Sequence, residues 1–321
     1  MANTKDIQRR IKSISSTKKI TKAMEMVAAA KMRKAIEAVL KTRTYANLSW
    51  QTVLNLSEAN DNNEKDLHPL LTKRKKIKKV GIVLITSNRG LCAGFNSNLI
   101  NKVHKSVKTH MEPGKEQPEF ILIGKKGLLV KKYYNYDIAA EFPKADIISE
   151  VKEVYSISKM VINDYLSAKY DKIVLAYTDF VSASKQVPRV KQLLPVDIST
   201  QDEYLGVVGE DTRLGLDKKF ITEKKEKYLK KDKYEFDYTF EPSPGEVLNE
   251  MIPRLIEVQL FQALLESNAS EYSARMAAMH QATDAANDMV DELTLSYNKA
   301  RQASITAEIA EISAGANSLA D

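Results

Sequence analysis

The turn from Ser87 to Asn96, which carries Gly90 and Gly94, is the stretch most suggestive of chemistry. It follows the apolar run Val80–Thr86 and precedes a helical pattern, which is where phosphate-binding loops lie. Its spacing matches neither G-x-x-x-x-G-K-[ST] nor G-x-G-x-x-G, and the phosphate-binding lysine and the Mg²⁺-binding hydroxyl are missing. The sequence therefore predicts a tight structural turn and no direct nucleotide binding.

The other side chains that could carry chemistry are isolated. His68, His104, His110 and His280 lack metal-ligand spacing, and Cys92 is the single cysteine. One cysteine allows no intramolecular disulfide, which fits a reducing compartment, and a buried structural role is the commoner one for such a residue. We expect no catalytic residue, no metal and no cofactor, so the chain itself is predicted not to be an enzyme.

Composition leaves the partner open. Hydrophobic residues make up 43% of the 321 residues and aromatic residues only 7%, which suits long helices. The net charge of +7 permits nucleic acid, an anionic membrane or an acidic protein surface as partner. No apolar run is long enough to span a membrane, and the N-terminus MANTKDIQRRIKSI lacks the apolar core of a signal peptide.

The elements that must organise this chain are its two ends. Residues 254–314 contain no glycine or proline, and neither does the predicted helix from Thr4 to Ser57. An unbroken helix over residues 254–314 would run roughly 90 Å. Small and apolar residues repeat there at sevenfold spacing, as in a coiled coil. The first row is Val258, Leu265, Tyr272, Met279, Ala286, Leu293, Ala300, Ala307 and Ala314. The predicted companion row, three residues on, is Phe261, Asn268, Arg275, Ala282, Met289, Ser296, Ala303 and Ala310.

The N-terminal segment is the natural partner of the C-terminal one. Residues 1–50 carry a net charge of +9 and residues 254–321 a net charge of −6, which favours their association. The predicted N-terminal stripe is Ile7, Ile11, Ile14, Thr21, Met24, Ala28, Met32, Ala35 and Val39. Six methionines are predicted to pack in the seam, namely Met24, Met26, Met32, Met276, Met279 and Met289.

The middle of the chain changes to an alternating pattern. Strands are predicted at Val80–Thr86, Glu119–Gly124, Tyr136–Phe142, Lys172–Phe180 and Gln186–Val196. Helices are predicted at about Ser97–Thr109, at a short stretch through Lys132 and at Ile147–Lys169. This order indicates a Rossmann-like α/β domain with a largely parallel five-stranded sheet.

The predicted domain division has four parts. Residues 1–58 form an N-terminal coiled-coil helix, 78–199 the α/β domain, 200–240 a charged insertion or linker, and 243–321 a C-terminal coiled-coil helix. Ser243 is a candidate cap and Pro244 a candidate first helical residue. We expect Pro253 to kink or break this helix.

Three motifs, quoted in chain order, identify a resemblance. The first is IKSISSTKKITKAMEMVAAAKMRK at 11–34, and the second is RGLCAGFN at 89–96. The third, near the C-terminus, is SEYSARMAAM at 270–279 with NKARQASITAEIAEI at 298–312. All three resemble the gamma subunit of bacterial F-type ATP synthases. The resemblance covers nearly the whole chain except about residues 200–234. The role of that charged segment is open: it could touch the epsilon subunit, tune inhibition, or only extend a loop.

The resemblance implies a fold and a role. In this family the terminal helices form an antiparallel coiled coil, a shaft inside a hexamer of alpha and beta subunits. The α/β domain contacts the epsilon subunit and the membrane c-ring, and proton flow turns ring and shaft. It implies contacts of Arg301, Gln302 and Thr306 with a beta-subunit loop, and of Lys22 and Met24 with an acidic beta-subunit region. It also implies a peripheral protein on the cytoplasmic face of the bacterial inner membrane.

Two other functions stay open from the residues alone. A coiled-coil adaptor with an α/β binding domain would form homodimers and need no hexamer. A nucleic-acid-binding protein would use the basic N-terminal helix, although aromatic side chains are nearly absent among its basic residues. The resemblance implies that no nucleic acid is bound.

Overall fold

The computed structural model describes residues 4–58, 68–72, 74, 77–110, 117–146, 150–196 and 244–318. The chain divides into two compact units. The terminal unit comprises Met1–Ala28 and Met276–Asp321, and the central unit comprises Ala29–Arg275. The predicted charged insertion at 200–240 and the candidate cap Ser243 lie outside the described residues. The four-part domain division therefore stays a prediction.

The two long helices contribute to both units. Helix α1 is Thr4–Glu58, which confirms the predicted helix to within a residue. The final helix, α5, is Pro244–Ser318, so Pro244 does begin it. The expected break at Pro253 is wrong, because the helix runs on through this residue. Since Pro253 is in the third turn, it removes only one hydrogen-bond donor while the residues after it continue the ladder.

The central unit is built on a five-stranded sheet. Its strands are β1 (Val80–Ile85), β2 (Glu119–Ile123), β3 (Ile138–Phe142), β4 (Lys172–Phe180) and β5 (Gln186–Leu194). Their order is β3-β2-β1-β4-β5, and β5 alone is antiparallel to its neighbour. This confirms the largely parallel sheet. Four of the five residues of β2 and five of the six of β1 are buried, as parallel strands covered on both faces require.

Helices cover the sheet. Helices α2 (Phe95–His110) and α3 (Leu129–Tyr134) pack on one face, and α3 follows a 3₁₀ turn at Lys125–Leu128. The core between them and the sheet contains Ile82, Leu84, Leu99, Ile100, Val103, Phe120, Leu122, Val130, Tyr136 and Ala176. Gly124 joins β2 to this layer at φ 101°, where a Cβ would lie 2.4 Å from the carbonyl oxygen of Thr86. Only glycine fits such a position.

Four of the five strands and one helix of the central unit are shorter than predicted: β1 and β2 lack one residue each, and β3 begins at Ile138 instead of Tyr136. The helix predicted at Ile147–Lys169 is a 3₁₀ turn at Val151–Val154 followed by α4 at Tyr155–Leu166, and residues 147–149 lie outside the described residues. It ends early because Ala168 adopts a left-handed conformation at φ 62°. Strand β5 ends at Leu194 instead of Val196, since Pro195 offers no donor to the ladder.

The terminal unit is an antiparallel pair of helices. The hydroxyl of Thr283 on α5 donates to that of Thr21 on α1 over 2.8 Å, and His280 approaches Glu25 within 3.5 Å. The numbers rise along α1 as they fall along α5, so the two helices run in opposite directions. All nine residues of the predicted α1 stripe, in both units, are buried or half-buried. These contacts confirm the predicted antiparallel coiled coil.

The predicted companion row on α5 is wrong beyond Ala282. Met289, Ser296, Ala303 and Ala310 are exposed, and so is Ala314 at the end of the first row. The inward positions instead lie four residues after the first row, at Thr283, Val290, Tyr297 and Ser304. Seam positions of a heptad are separated alternately by three and four residues. Both candidate rows hold small or apolar residues, so the sequence did not show which spacing applies. Met26 and Met289, predicted in the seam, are also exposed, at 60% and 53%.

Candidate partner-contact surface

The five residues predicted to contact the beta subunit all lie in the terminal unit. Arg301, Gln302 and Thr306 are exposed on about one and a half turns of α5. The hydroxyl of Thr306 donates to the carbonyl oxygen of Gln302 over 2.9 Å, so the hydroxyl is tied to its own helix. The side chains of Arg301 and Gln302 point away from the seam. They form a polar surface of the kind that a partner loop can contact.

Lys22 and Met24 lie on the other helix of this unit. The ammonium group of Lys22 contacts both carboxylate oxygens of Glu25, at 3.0 and 3.1 Å, and Met24 is half-buried beside the seam. A groove of about 430 Å³ opens here between α1 and α5. Its lining is Lys18, Lys19, Lys22, Ala23, Met26, Thr283, Asp284 and Asn287. Its lining thus holds three lysines of α1 and one acidic residue of α5, Asp284.

Apolar side chains outside the seam are the feature of the terminal unit that sequence reasoning missed. Eight of them are between 47% and 72% exposed: Ile20, Met26, Val27, Met289, Leu295, Ile305, Ile309 and Ile312. Single exposed apolar residues are ordinary, and the number on this helix pair makes them candidates for contact with a partner. The signal was present in the sequence as Ile and Leu at positions outside both heptad rows.

In the central unit, the Ser87–Asn96 turn is held together by its own side chains. The carboxamide oxygen of Asn96 accepts from the backbone N–H of Ser87 at 3.0 Å, and its amide donates to the Ser87 hydroxyl at 2.8 Å. Cys92 is buried against Asn96, at 3.3 Å, as its structural role predicted. This arrangement agrees with a structural turn. Leu91 and Ala93 take left-handed conformations at φ 63° and 46°, and Leu91 is exposed at the tip.

A buried ion network attaches this turn to α5. The ammonium group of Lys144 lies 2.8 Å from one carboxylate oxygen of Glu271, and the guanidinium of Arg275 lies 2.9 Å from the other. Arg275 also donates to the backbone carbonyls of Arg89 and Gly90, at 3.4 and 3.3 Å. The Lys144 and Glu271 side chains are only 2% and 8% exposed, so each charge depends on the other. The separation of 127 residues between them left no signal in the sequence.

The part of α5 in the central unit also packs polar residues against the sheet. Ser270 donates to the carbonyl of Thr178 at 3.1 Å, and Ser273 donates to that of Ala183 at 2.6 Å. Burial, followed by the nearby Glu266 and Asp179 carboxylates, raises the pKa of Tyr177 well above its ordinary value. Small hydroxyl side chains let the helix approach the strands closely while their polar atoms stay paired.

Within the described ranges, no group of three or more His, Cys, Asp or Glu side chains could hold a metal ion. Among the same residues, no helix is both long and apolar enough to cross a membrane.

These features define a class of protein, in which an antiparallel coiled coil with an exposed apolar surface and a Rossmann-like α/β domain occur in one chain. The ATP synthase family model matches residues 3–319. An ATP synthase gamma chain from Picosynechococcus is 40% identical over 99% of this chain and 100% of the relative, and one from Heliobacterium modesticaldum matches equally well. A gamma chain from Legionella pneumophila is 35% identical over 99% of this chain. The chain belongs to the ATP synthase gamma chain family.

Solved structures share the fold. A chain from the central stalk and c-ring of the Tetrahymena thermophila mitochondrial ATP synthase has a TM-score of 0.57 and 23% identity. This likeness covers 82% of the present chain and 99% of the other. A chain from the Euglena gracilis mitochondrial ATP synthase has a TM-score of 0.60 and 16% identity, covering 98% and 94%. At such identities the likeness concerns the fold.

Proposed function

We propose that this chain is the central rotor shaft of a bacterial ATP synthase. In that role it couples proton-driven rotation of the membrane c-ring to conformational cycling of the catalytic beta subunits. The observation that carries the proposal, beside family membership, is the set of eight exposed apolar side chains on the terminal unit. A collar of alpha and beta subunits would cover them without anchoring any one of them strongly.

The predicted contact residues fit this role chemically. Arg301 and Gln302 present donors that a polar beta-subunit loop can accept, and Lys22 lies in a groove with two further lysines. An acidic region of the beta subunit would find complementary charge there. Thr306, whose hydroxyl is bonded within α5, would contribute shape more than a hydrogen bond. Met24, half-buried beside the seam, offers a flexible apolar edge that adapts to a moving partner.

The remaining parts of the proposal concern chemistry and place. The shaft is non-catalytic, because nucleotides are handled by the alpha and beta subunits and the Ser87–Asn96 turn is filled by its own side chains. The epsilon subunit and the c-ring would contact the central unit. Such a protein would be peripheral to the inner membrane, on its cytoplasmic face.

Assembly tests the proposal. The full chain is mixed with purified alpha and beta subunits, and complex formation and ATP hydrolysis are measured. We expect one chain per hexamer and restored hydrolysis, with the double variant Arg301→Ala, Gln302→Ala lowering turnover several-fold. Lys299→Ala, another exposed cation on the same helix, is the matched control and should leave turnover unchanged. A chain that forms homodimers and never joins the hexamer would refute the rotor assignment.

A further inference from the structure

The central unit carries a second charged surface that none of the contacts described above uses. Its members are lysines exposed on α2 and α3, and we call them the lysine patch: Lys102, Lys105, Lys108, Lys131 and Lys132. Neither helix contains an acidic residue. Within the described residues, none of these five ammonium groups forms an ion pair. Within these two helices, the charged side chains are therefore all of one sign.

Specific contacts hold the two helices side by side. The ring of Tyr134 on α3 stacks on His104 of α2 with centroids 3.7 Å apart, and its hydroxyl donates to Asn101 at 2.8 Å. His104 in turn contacts the hydroxyl of Tyr136 at 2.9 Å. Lys102, Lys105 and Lys108 repeat every three residues, which places them along one side of α2. The patch is thus displayed on a packed scaffold.

The composition of the patch indicates the kind of partner. All five cations are lysine and none is arginine, whereas elsewhere the chain binds carboxylates with both residue types, as at Arg275 and Lys144. Protein interfaces favour arginine and are depleted in lysine, because the guanidinium forms directed, paired hydrogen bonds. Lysine clusters instead suit a diffuse sheet of negative charge such as anionic lipid headgroups. Tyr133 lies beside the lysines, 62% exposed, and its amphipathic ring suits the headgroup layer.

We propose that the lysine patch binds the anionic surface of a membrane, with the ammonium groups on lipid phosphates and Tyr133 at the headgroup level. This contact would help to hold the central unit against the membrane, which extends the proposed function. Its test requires no other subunit, so the two proposals can fail separately. Attraction of this kind acts within about 10 Å at ordinary ionic strength, so the contact must be close.

Vesicle binding by the full chain tests the proposal. Phosphatidylcholine vesicles with and without phosphatidylglycerol are sedimented with the chain at low and high salt. We expect binding only to the vesicles that contain phosphatidylglycerol, and its loss at high salt. Replacing Lys102, Lys105 and Lys131 together by Gln should weaken binding about 100-fold, since each lysine near an anionic surface contributes about fivefold.

The control removes the same charge elsewhere. Lys12, Lys34 and Lys41 are exposed on α1, and their joint replacement by Gln should change binding much less than the patch variant does. Circular dichroism checks that both variants keep the helix content of the parent. Equal weakening by the two triple variants would show an effect of net charge alone and overturn the proposal. It is also overturned if the patch variant binds the vesicles as tightly as the parent chain does.

Discussion

Helix α5 differs along its length in how far its side chains are buried. One part lies in the central unit and the other in the terminal unit. From Leu255 to Ala274 nearly every side chain is buried, including Glu257, Gln262 and Glu266. From Met276 onward one seam is buried, while apolar residues such as Ile309 and Ile312 are exposed. One segment completes a core within its own unit, and the other leaves apolar side chains exposed.

This difference indicates which part of the chain is stabilised by its own core and which part is available for contact with other molecules. The central unit has its own hydrophobic core and pairs buried charges internally, as Lys144 does with Glu271. The terminal unit has a narrow seam of small residues such as Ala286 and Ala300. Such a seam buries little area at roughly 25 cal/mol per Å², so we expect a surrounding partner to add to its stability.

The largest predicted effect comes from breaking the buried ion network. Glu271→Gln leaves Lys144 and Arg275 without their carboxylate, and the free energy of unfolding of the central unit should fall by about 3–5 kcal/mol. Urea denaturation with hydrogen-exchange readout on β1 and β4 measures this. Glu292→Gln, the same change at an exposed position of the terminal unit, should stay within about 0.5 kcal/mol. Equal losses would show that the two parts of α5 do not differ.

A matched pair of leucines tests the same contrast without charge. Leu84→Ala empties part of the core between the sheet and α2, and should cost about 2–5 kcal/mol of unfolding free energy. Leu295→Ala, at a side chain that is 57% exposed, should cost about 0.5 kcal/mol or less in the isolated chain. In the assembly with alpha and beta subunits, however, Leu295→Ala should weaken complex formation measurably. If it weakens neither property, the exposed apolar set is not a contact surface.

The next effect tests which row of α5 faces α1. Val290→Ala should lower the unfolding free energy of the terminal unit by about 1 kcal/mol, because Val290 is half-buried in the seam. Met289→Ala, one residue away and more than half exposed, should have almost no effect. Thermal denaturation followed by circular dichroism compares the two. If Met289→Ala lowered the unfolding free energy more than Val290→Ala, the row three residues after the first row would face α1, as the sequence predicted.

These pairs also show what the sequence could and could not reveal. The absence of glycine and proline predicted α1 almost to its ends and α5 from Arg254 onward, and the alternating pattern of the middle predicted all five strands. The step of the second heptad row was mispredicted, because Ala303 and Ser304 are equally small and only burial distinguishes them. Pairing over long separations, as between Lys144 and Glu271, depends on tertiary contacts that no local pattern encodes. Four of the five candidate contact residues are exposed and Met24 is half-buried, and their contact with a beta subunit stays a prediction.

The smallest predicted effect is on the pH dependence of the unfolding free energy, which again compares the two units. The ring nitrogen Nδ1 of His68 accepts a hydrogen bond from the backbone N–H of Leu70 at 3.1 Å, so it carries no proton, and burial lowers the pKa of this residue. The unfolded chain, with a histidine pKa of about 6.5, then binds the proton more readily than the folded chain. Neutral His68 therefore makes its full contribution to the unfolding free energy above pH of about 6.5. The contribution is lost as the pH falls below this value, by at most about 1.4 kcal/mol per pH unit.

Burial and, after it, the charge of Lys108 lower the pKa of His104 as well, so this residue adds a loss of the same sign. His68→Gln should therefore reduce, but not abolish, the pH dependence of unfolding free energy between pH of about 7 and 5. His280→Gln, whose ring is 59% exposed in the terminal unit, should leave that dependence of the central unit unchanged. Denaturant titrations at a series of pH values decide between them. If His280→Gln changed the pH dependence more than His68→Gln, the acid-sensitive group would lie in the coiled coil and not in the central unit.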